Sequence, residues 1–448
     1  MPDLPKDFET KMKQDLGSEF NDFENALAQD VPISVRLNPR KETALALNRQ
    51  EAVPWCSNAF YLSERPVFTL DPSFHAGAYY VQEASSMFLK AVLSQHIDFS
   101  KSIRVLDLCA APGGKTTLLA DLMNEESLLV ANEVIKSRVG ILKENLMKWG
   151  YTNVIVSNHD SEEFADLEGF FDLVLVDAPC SGEGLFRKDP NATSHWSEAA
   201  VNTCSARQKR ILEAASMLVA PHGHLIYSTC TYNEQENEGN VNWFIKNCDF
   251  EEQKVDTSKY HGIQAKERGY QFYPHKVKGE GFFISILKKI EGHTDYVGGK
   301  LKMNRLSTKK KEFLTEWLAD LNKFEFFEKP DETVVAIPTG LIDEYSSVLR
   351  ALTKRSSGFE LGLFKKENFI PSHSLALSTE VNQSFPVLEL EREDALRFLK
   401  RESFDQGEIE NGWKLVTYNG LGLGWIKIIG NRANNYLPKE WRIRMDIE

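Results

Sequence analysis

The stretch Arg104-Val105-Leu106-Asp107-Leu108-Cys109-Ala110-Ala111-Pro112-Gly113-Gly114-Lys115-Thr116 decides the fold. Its first five residues are a short, largely apolar run, the pattern of a strand buried in a parallel sheet. Cys109 to Gly114 then reads as a tight turn, and Lys115 to Met123 as a helix. Backbone N–H groups at such a helix start favour an anionic or electron-rich ligand. Gly114-Lys115-Thr116 imitates the end of a phosphate-binding loop, G-x-x-x-x-G-K-S/T, but the first glycine of that motif falls on Cys109. Pro112 and Gly113 inside the loop also count against a nucleotide triphosphatase.

Working outward, Leu128 to Asn132 is a second apolar run, and Glu133 follows it. An acid at that place suits ribose hydroxyls. Val154 to His159 is a third run, followed by Asp160, which can accept from an adenine amino group. One acid after a strand is as readily a turn or helix cap. Asp107, the Ala110 to Gly114 loop, Glu133 and Asp160 on three successive strand ends together describe a pocket for an adenosine-bearing ligand.

Two further strands, Phe171 to Val176 and His224 to Tyr227, run out into Asp177-Ala178-Pro179-Cys180-Ser181-Gly182 and Ser228-Thr229-Cys230-Thr231. Strand ends are where α/β enzymes keep their chemistry, so Cys180 and Cys230 are expected to face one cleft. Alternating strands and helices predict a doubly wound, mostly parallel sheet. Tyr270 to Tyr273 and Gly281 to Leu287 have no helix between them and predict a hairpin at its edge.

The chain has 448 residues, 42% hydrophobic and 26% charged, the balance of a globular protein with room for several domains. A net charge of −12 argues against a surface that grips nucleic acid everywhere, leaving local basic patches to do so. The six cysteines form no C-x-x-C pair, so neither a disulfide framework nor a metal site is indicated. The first 50 residues hold no signal-peptide core, and no stretch approaches the roughly 18 apolar residues of a membrane span. A cytoplasmic protein is expected.

Phe8, Met12, Leu16, Phe20, Phe23 and Leu27 form a helical stripe expected to pack on the body. Arg36, Arg40 and Lys41 read as a solvated face, and Lys300 to Lys311, with six cations and no acid, as a linker that touches phosphates. Glu312 to Thr379 mixes helix and strand. Val387 to Glu448 reads as a β-rich unit with Gly420, Gly422 and Gly424 between apolar strands.

The motifs DLCAAPGGKT (from Asp107), DAPCSGEG (from Asp177) and STCTY (from Ser228) resemble those of the Nol/Nop/Sun family of S-adenosylmethionine-dependent RNA 5-methylcytosine methyltransferases. Arg36-Leu37-Asn38, Gly77 to Glu83, Tyr273-Pro274-His275 and Gly279 to Phe282 agree in order, so the resemblance spans roughly Pro32 to Lys289. Gly422-Leu423-Gly424-Trp425 and Tyr436-Leu437-Pro438-Lys439 are similar to the PUA-like tail of the RsmF-like bacterial 16S ribosomal RNA branch.

The resemblance implies a Rossmann-like α/β methyltransferase core with a seven-stranded sheet, an N-terminal RNA-recognition-like region, and C-terminal α+β and PUA-like domains. The expected boundaries are 1–70, 71–292, a basic linker 293–311, 312–380 and 381–448. It assigns Cys230 as nucleophile and Cys180 to product release, with Asp177 on the cytosine edge and Lys115 tuning a cysteine or positioning Asp177. Cofactor contacts fall to Asp107, Cys109, Ala110, Ala111, Pro112, Gly113, Gly114, Lys115, Glu133, Arg138, Asp160 and Asp177. Glu133 stands where many members carry Asp. The chemistry requires such thiols, because carbon 5 of cytosine is a poor nucleophile until a thiolate adds to carbon 6. The expected substrate is a cytidine in the decoding region of 16S ribosomal RNA, as RNA or in the 30S subunit, with an effect on aminoglycoside susceptibility and a monomeric enzyme. Transfer RNA is the rival substrate, and a non-catalytic ribosome-assembly factor the rival class. Arg187, Lys188, Arg207, Lys209 and Arg210 are candidates to grip RNA phosphates.

Overall fold

The computed structural model describes residues 4–447 except 293, 295, 297, 367, 405, 406, 408 and 409. Residues 293, 295 and 297 of the expected linker and the terminal residues 1–3 and 448 therefore lie outside the described residues.

The N-terminal stripe forms two helices, Lys6–Leu16 and Phe20–Leu27, because Gly17 adopts φ 54° and breaks the run. All six stripe residues are buried, against Phe186, Trp196, Tyr232 and Tyr273, as their spacing predicts. A four-stranded sheet follows, built from β1 (Ile33–Leu37), β2 (Arg49–Val53), β3 (Cys56–Leu62) and β4 (Tyr79–Val81) in the order β2-β3-β1-β4.

The central sheet has nine strands rather than seven. Five are parallel, β5 (Arg104–Asp107), β6 (Leu128–Asn132), β7 (Val154–Ser157), β8 (Phe171–Asp177) and β9 (Val219–Thr229), in the order β7-β6-β5-β8-β9. Against β9 lies the antiparallel β13 (Phe282–Lys289), whose far edge is shared by β10 (Phe250–Glu252) and β12 (Tyr270–Phe272). Two short strands thus occupy one edge position, and a two-residue strand, β11 (Gln264–Ala265), adds to β12. The predicted hairpin is the β12–β13 pair. Apolar side chains cover both faces of the sheet, which is why the parallel strands read as continuous apolar runs.

Register fixes the site. Asp107 lies beside Ala131 and Leu175, and Asp177 beside Ser228, so the acids and the Cys230 segment meet at the carboxyl ends of the strands. The strand order reverses at β5, with β6 on one side and β8 on the other, which opens a crevice there.

The expectation that Arg36 and Lys41 lie on a solvated face is overturned. Arg36 is fully buried, donating to Gln82 Oε1 at 2.9 Å and Gly114 O at 3.2 Å, pairing with Asp121, and lying over the Trp149 ring. Lys41 is buried too, and its ammonium donates to the carbonyls of Ala76, Lys148 and Leu377. Both cations tie the N-terminal sheet to the catalytic core, so hydrogen bonding rather than solvent satisfies them.

Two further sheets follow, the first antiparallel and the second mixed, with β19 (Val387–Glu389) parallel to β20 (Gly412–Tyr418). The first holds β14 (Asn304–Arg305), β15 (Phe324–Glu328), β16 (Thr333–Pro338), β17 (Phe359–Lys365) and β18 (Asn368–Pro371). The second half of the Lys300 to Lys311 run is folded into it: Asn304–Arg305 pairs with β15, and a helix spans Thr308–Phe313. The second sheet holds β19 (Val387–Glu389), β20 (Gly412–Tyr418), β21 (Leu421–Ile429) and β22 (Arg432–Asn435). Trp425 of β21 joins the two, donating to Ser372 O at 2.7 Å and packing on Trp317. Among the described residues no helix is long and apolar enough to cross a membrane.

Candidate active site

The loops after β8 and β9 bring Cys180 and Cys230 together, with sulfur atoms 3.1 Å apart. The Cys230 N–H points at Cys180 Sγ at 3.3 Å. Gly184 makes this approach possible: its N–H donates to Cys230 O at 2.8 Å, and a Cβ there would sit 2.6 Å from Gly281 O. Behind the first loop, Glu236 Oε2 accepts from Ser181 N at 3.0 Å and from Gln208 Nε2 at 2.7 Å. Gln208 also holds Pro179 O at 3.1 Å, so both peptide groups flanking Cys180 are clamped. The contact with Cys230, and then burial, push the Cys180 thiol well above the ordinary cysteine value.

Asp177, at the end of β8, accepts from Lys115 Nζ at 2.8 Å through one oxygen and from Ser228 Oγ at 2.8 Å through the other. Burial alone would lower the Lys115 ammonium, but Asp177 outweighs it and holds the group above the ordinary lysine value. Lys115 thus touches Asp177, one of the groups it was expected to act on.

Asp107 is buried at the foot of a cavity of about 310 Å³. Its Oδ2 accepts from Thr116 Oγ1 at 2.6 Å, while Oδ1 has no hydrogen-bond partner among the described residues. Burial raises its carboxyl to about 7. An orphaned carboxylate oxygen facing a cavity fits a ligand that carries positive charge, as the ammonium and sulfonium of S-adenosylmethionine do.

Asp107, Cys109, Ala110, Ala111, Pro112, Gly114, Lys115, Asp177 and Cys230 all line that cavity. Gly113 stands behind it in the left-handed region, φ 115°, and opens the helix Gly114–Leu122. Cys180 reaches the cavity through Cys230. Arg138 shapes the loop by donating to Ala111 O at 2.6 Å. Glu133 is buried, with Oε1 accepting from Ile135 N at 2.8 Å and Oε2 beside Arg138.

Asp160 does not reach the cavity, and Glu133 and Arg138 are not among its lining residues either. The Asp160 carboxylate caps the turn Ser161–Leu167 and binds Arg210 at 2.8 Å, the local bonding a lone strand-end acid offers.

Several lining residues went unassigned in the sequence: Tyr80 of β4, Gln82, Glu83 and Ser86 from the segment after it, and Glu280, Gly281 and Phe282. Most lie in the stretches Gly77 to Glu83 and Gly279 to Phe282, whose order matched the family but whose residue types carry no chemical signature. The expected phosphate-gripping cations separate. Lys188 lines the cavity and Arg207 is exposed. Arg187 is instead 3% exposed in a bidentate pair with Glu280, and Arg210 is held by Asp160 and Glu162. Lys209 lies over the Trp243 ring.

A mostly parallel sheet, a glycine loop after its first strand and an acid-floored cavity at the strand ends define a Rossmann-like S-adenosylmethionine-dependent methyltransferase. Comparison with known proteins narrows the class. The chain matches the family described as 16S rRNA methyltransferase RsmB/F over residues 95–288, the N-terminal domain of 16S rRNA methyltransferase RsmF over 4–84, and the RsmF PUA domain over 385–443. Ribosomal RNA small subunit methyltransferase F of Vibrio atlanticus is 32% identical, with 98% of this chain and 97% of that protein covered. The protein of the same name from Pectobacterium atrosepticum is 30% identical, covering 98% and 95%. Among solved structures, a methyltransferase homolog from Pyrococcus horikoshii superposes with a TM-score of 0.55 at 29% identity, covering 64% of this chain and 96% of that one. The chain belongs to the ribosomal RNA small subunit methyltransferase F family.

Proposed function

We propose that the protein methylates carbon 5 of a cytidine in 16S ribosomal RNA through a covalent Cys230–cytosine adduct. The observation that carries the reading is the pair of thiols 3.1 Å apart beside the Lys115–Asp177 pair. S-adenosylmethionine, when bound, supplies an electrophilic methyl group.

In this reading the Cys230 thiolate adds to carbon 6 of the flipped base, and the broken conjugation makes carbon 5 nucleophilic. As Cys230 adds, the proton given up by its thiol is shared between the Asp177 carboxyl, held by Lys115 and Ser228, and nitrogen 3 of the cytosine, which offsets the negative charge built there. After methylation the carbon 5 proton leaves to a base, the bond from carbon 6 to sulfur breaks, and the electron pair returns to Cys230. Cys180 assists that release. Asp107 faces the positive part of the cofactor, Glu133 is assigned to its ribose, and Arg138 keeps the loop in shape. Asp160 is assigned a structural role instead of an adenine contact.

The target lies in the decoding region, and its loss alters aminoglycoside susceptibility. The enzyme works as a cytoplasmic monomer on RNA or the 30S subunit, with domains bounded near residues 70, 292, 311 and 380.

The test is incubation with radiolabelled S-adenosylmethionine and, separately, 16S ribosomal RNA, 30S subunits and bulk transfer RNA. Label on carbon 5 of cytosine in a ribosomal sample is expected. Label confined to transfer RNA overturns the target, and no transfer to any RNA overturns the reaction.

A further inference from the structure

On the far side of the helix Lys136–Trp149 from the cofactor loop lies a second cavity of about 270 Å³, bounded by β7, Lys329 and the loop from Arg355 to Glu360. It is close in size to the 310 Å³ cavity of the active site. We propose that this junction cavity binds a phosphate group of the RNA substrate, an inference that rests on the RNA reading above.

The cavity is preformed. The segment before β17 is stitched to the otherwise open edge of β7: Ser356 N donates to Val156 O at 2.8 Å, Val156 N to Ser356 Oγ at 3.0 Å, and Asn158 N to Lys354 O at 2.9 Å. Gly358, at φ 143°, then turns the loop where a Cβ would lie 2.9 Å from Ala336 O. These bonds fix the cations of the loop before any ligand arrives.

Arg355 is the decisive group. Its Nη2 donates to Leu349 O at 3.0 Å and its Nη1 reaches Ser357 Oγ at 3.4 Å, but no carboxylate pairs with it among the described residues, and Nε is buried without a partner. Burial pulls its pKa down, the direction for a cation lacking a counter-ion. A desolvated guanidinium N–H without an acceptor is unfavourable unless an anion completes it. Lys143 is exposed on the opposite wall with no ion pair among the described residues, and Lys329 is shared with Glu360 at 3.0 Å. Three cations and one acid therefore surround the cavity, in a chain of net charge −12. Arginine, lysine and serine donors are the groups that hold phosphate oxygens and set the register of a nucleic acid.

Position favours RNA as the source of that phosphate. The helix Lys136–Trp149 presents Asn145 to the cofactor loop, donating to Pro112 O at 2.8 Å, and Lys143 and Met147 to the junction cavity. The target base enters beside Cys230, after β9, and the cavity lies at β7, four strand positions or about 19 Å away, so a strand whose target base enters the active site can leave a phosphate several nucleotides from that base here.

The test compares wild type with Lys143→Glu, Arg355→Gln and Arg355→Lys. RNA binding is read by salt titration without cofactor, and methyl transfer by kcat and KM. The first two variants are expected to raise KM for RNA about tenfold at unchanged kcat, the loss of one charge-assisted contact. Each should lower the slope of log affinity against log salt by about 0.7 to 0.9. Arg355→Lys should recover part of both. Wild-type affinity and slope in Lys143→Glu and Arg355→Gln, with unchanged melting temperatures, overturn the proposal. A third arm measures thermal stabilisation by inorganic phosphate: its loss in the variants with RNA binding intact assigns the cavity to free anions and overturns the RNA source. Absent methyl transfer in wild type would sink the catalytic reading alone, because binding is read independently.

Discussion

The sulfur of Cys180 lies 3.1 Å from that of Cys230, although the two residues follow different strands, β8 and β9. Parallel pairing of Asp177 with Ser228 places the loops side by side, and the clamp from Glu236 and Gln208 holds the first one in place. In the proposed mechanism Cys230 supplies the covalent bond, so Cys230→Ala should lower methyl transfer roughly 1,000-fold or more. Cys180→Ala should instead accumulate a protein–RNA adduct, visible as a shifted band on a denaturing gel. Equal loss without an adduct would remove Cys180 from the release step.

The Lys115–Asp177 pair should act as one unit. Asp177→Asn and Lys115→Met are each expected to lower kcat by about 100- to 1,000-fold, the scale of one preorganised electrostatic contact. The double variant should be little worse than either single one. Single-turnover methylation at saturating RNA and cofactor measures this.

In the proposed reading Asp107 links cofactor binding to pH. Its carboxyl stands at about 7 in the fold because burial disfavours its charge, above the unfolded value of about 3.9. A raised folded value contributes stability that is fully present below the unfolded value and is lost as pH rises through about 7. The melting temperature of the cofactor-free protein should therefore fall across that window, and Asp107→Asn should flatten the fall. Affinity for the cationic cofactor should rise over the same range with release of a proton, which calorimetry in buffers of different ionisation enthalpy detects.

Arg36→Met should destabilise the protein by about 3 to 5 kcal/mol, because it leaves the buried Asp121 without its counter-ion. Arg36→Lys should recover little, since an ammonium cannot span Asp121, Gln82 and Gly114 O as the guanidinium fork does. Thermal unfolding followed by tryptophan fluorescence reads both, Trp149 lying beneath the guanidinium.

What the sequence revealed depended on locality. The Asp107 to Thr116 stretch carries strand, turn and helix signals within one window, and the structure places its loop in the cavity. The apolar runs of β8 and β9 forecast parallel strands for the same reason. Strand count was less legible: β10 and β12 are three residues each, too short for a periodic signal, and they share one edge of β13. Charge was least legible. Arg36, Lys41 and Arg187 read as surface cations, yet the side chain of each is withdrawn from solvent, because its partners come from segments far away in the chain. Asp160 met the opposite fate, since its nearest neighbours in sequence took its carboxylate as a cap.

The sequence by itself determined the order of strands and helices, the glycine loop and the two cysteine motifs, since each is set by residues within a few positions of one another. Only the tertiary structure decided which acids face the cavity, which cations are solvated, and that Arg355, remote in sequence from every motif, stands without a counter-ion among the described residues beside the helix that carries Asn145. Those outcomes depend on which groups compete for the same partner in space, and that competition is settled by packing rather than by spacing along the chain.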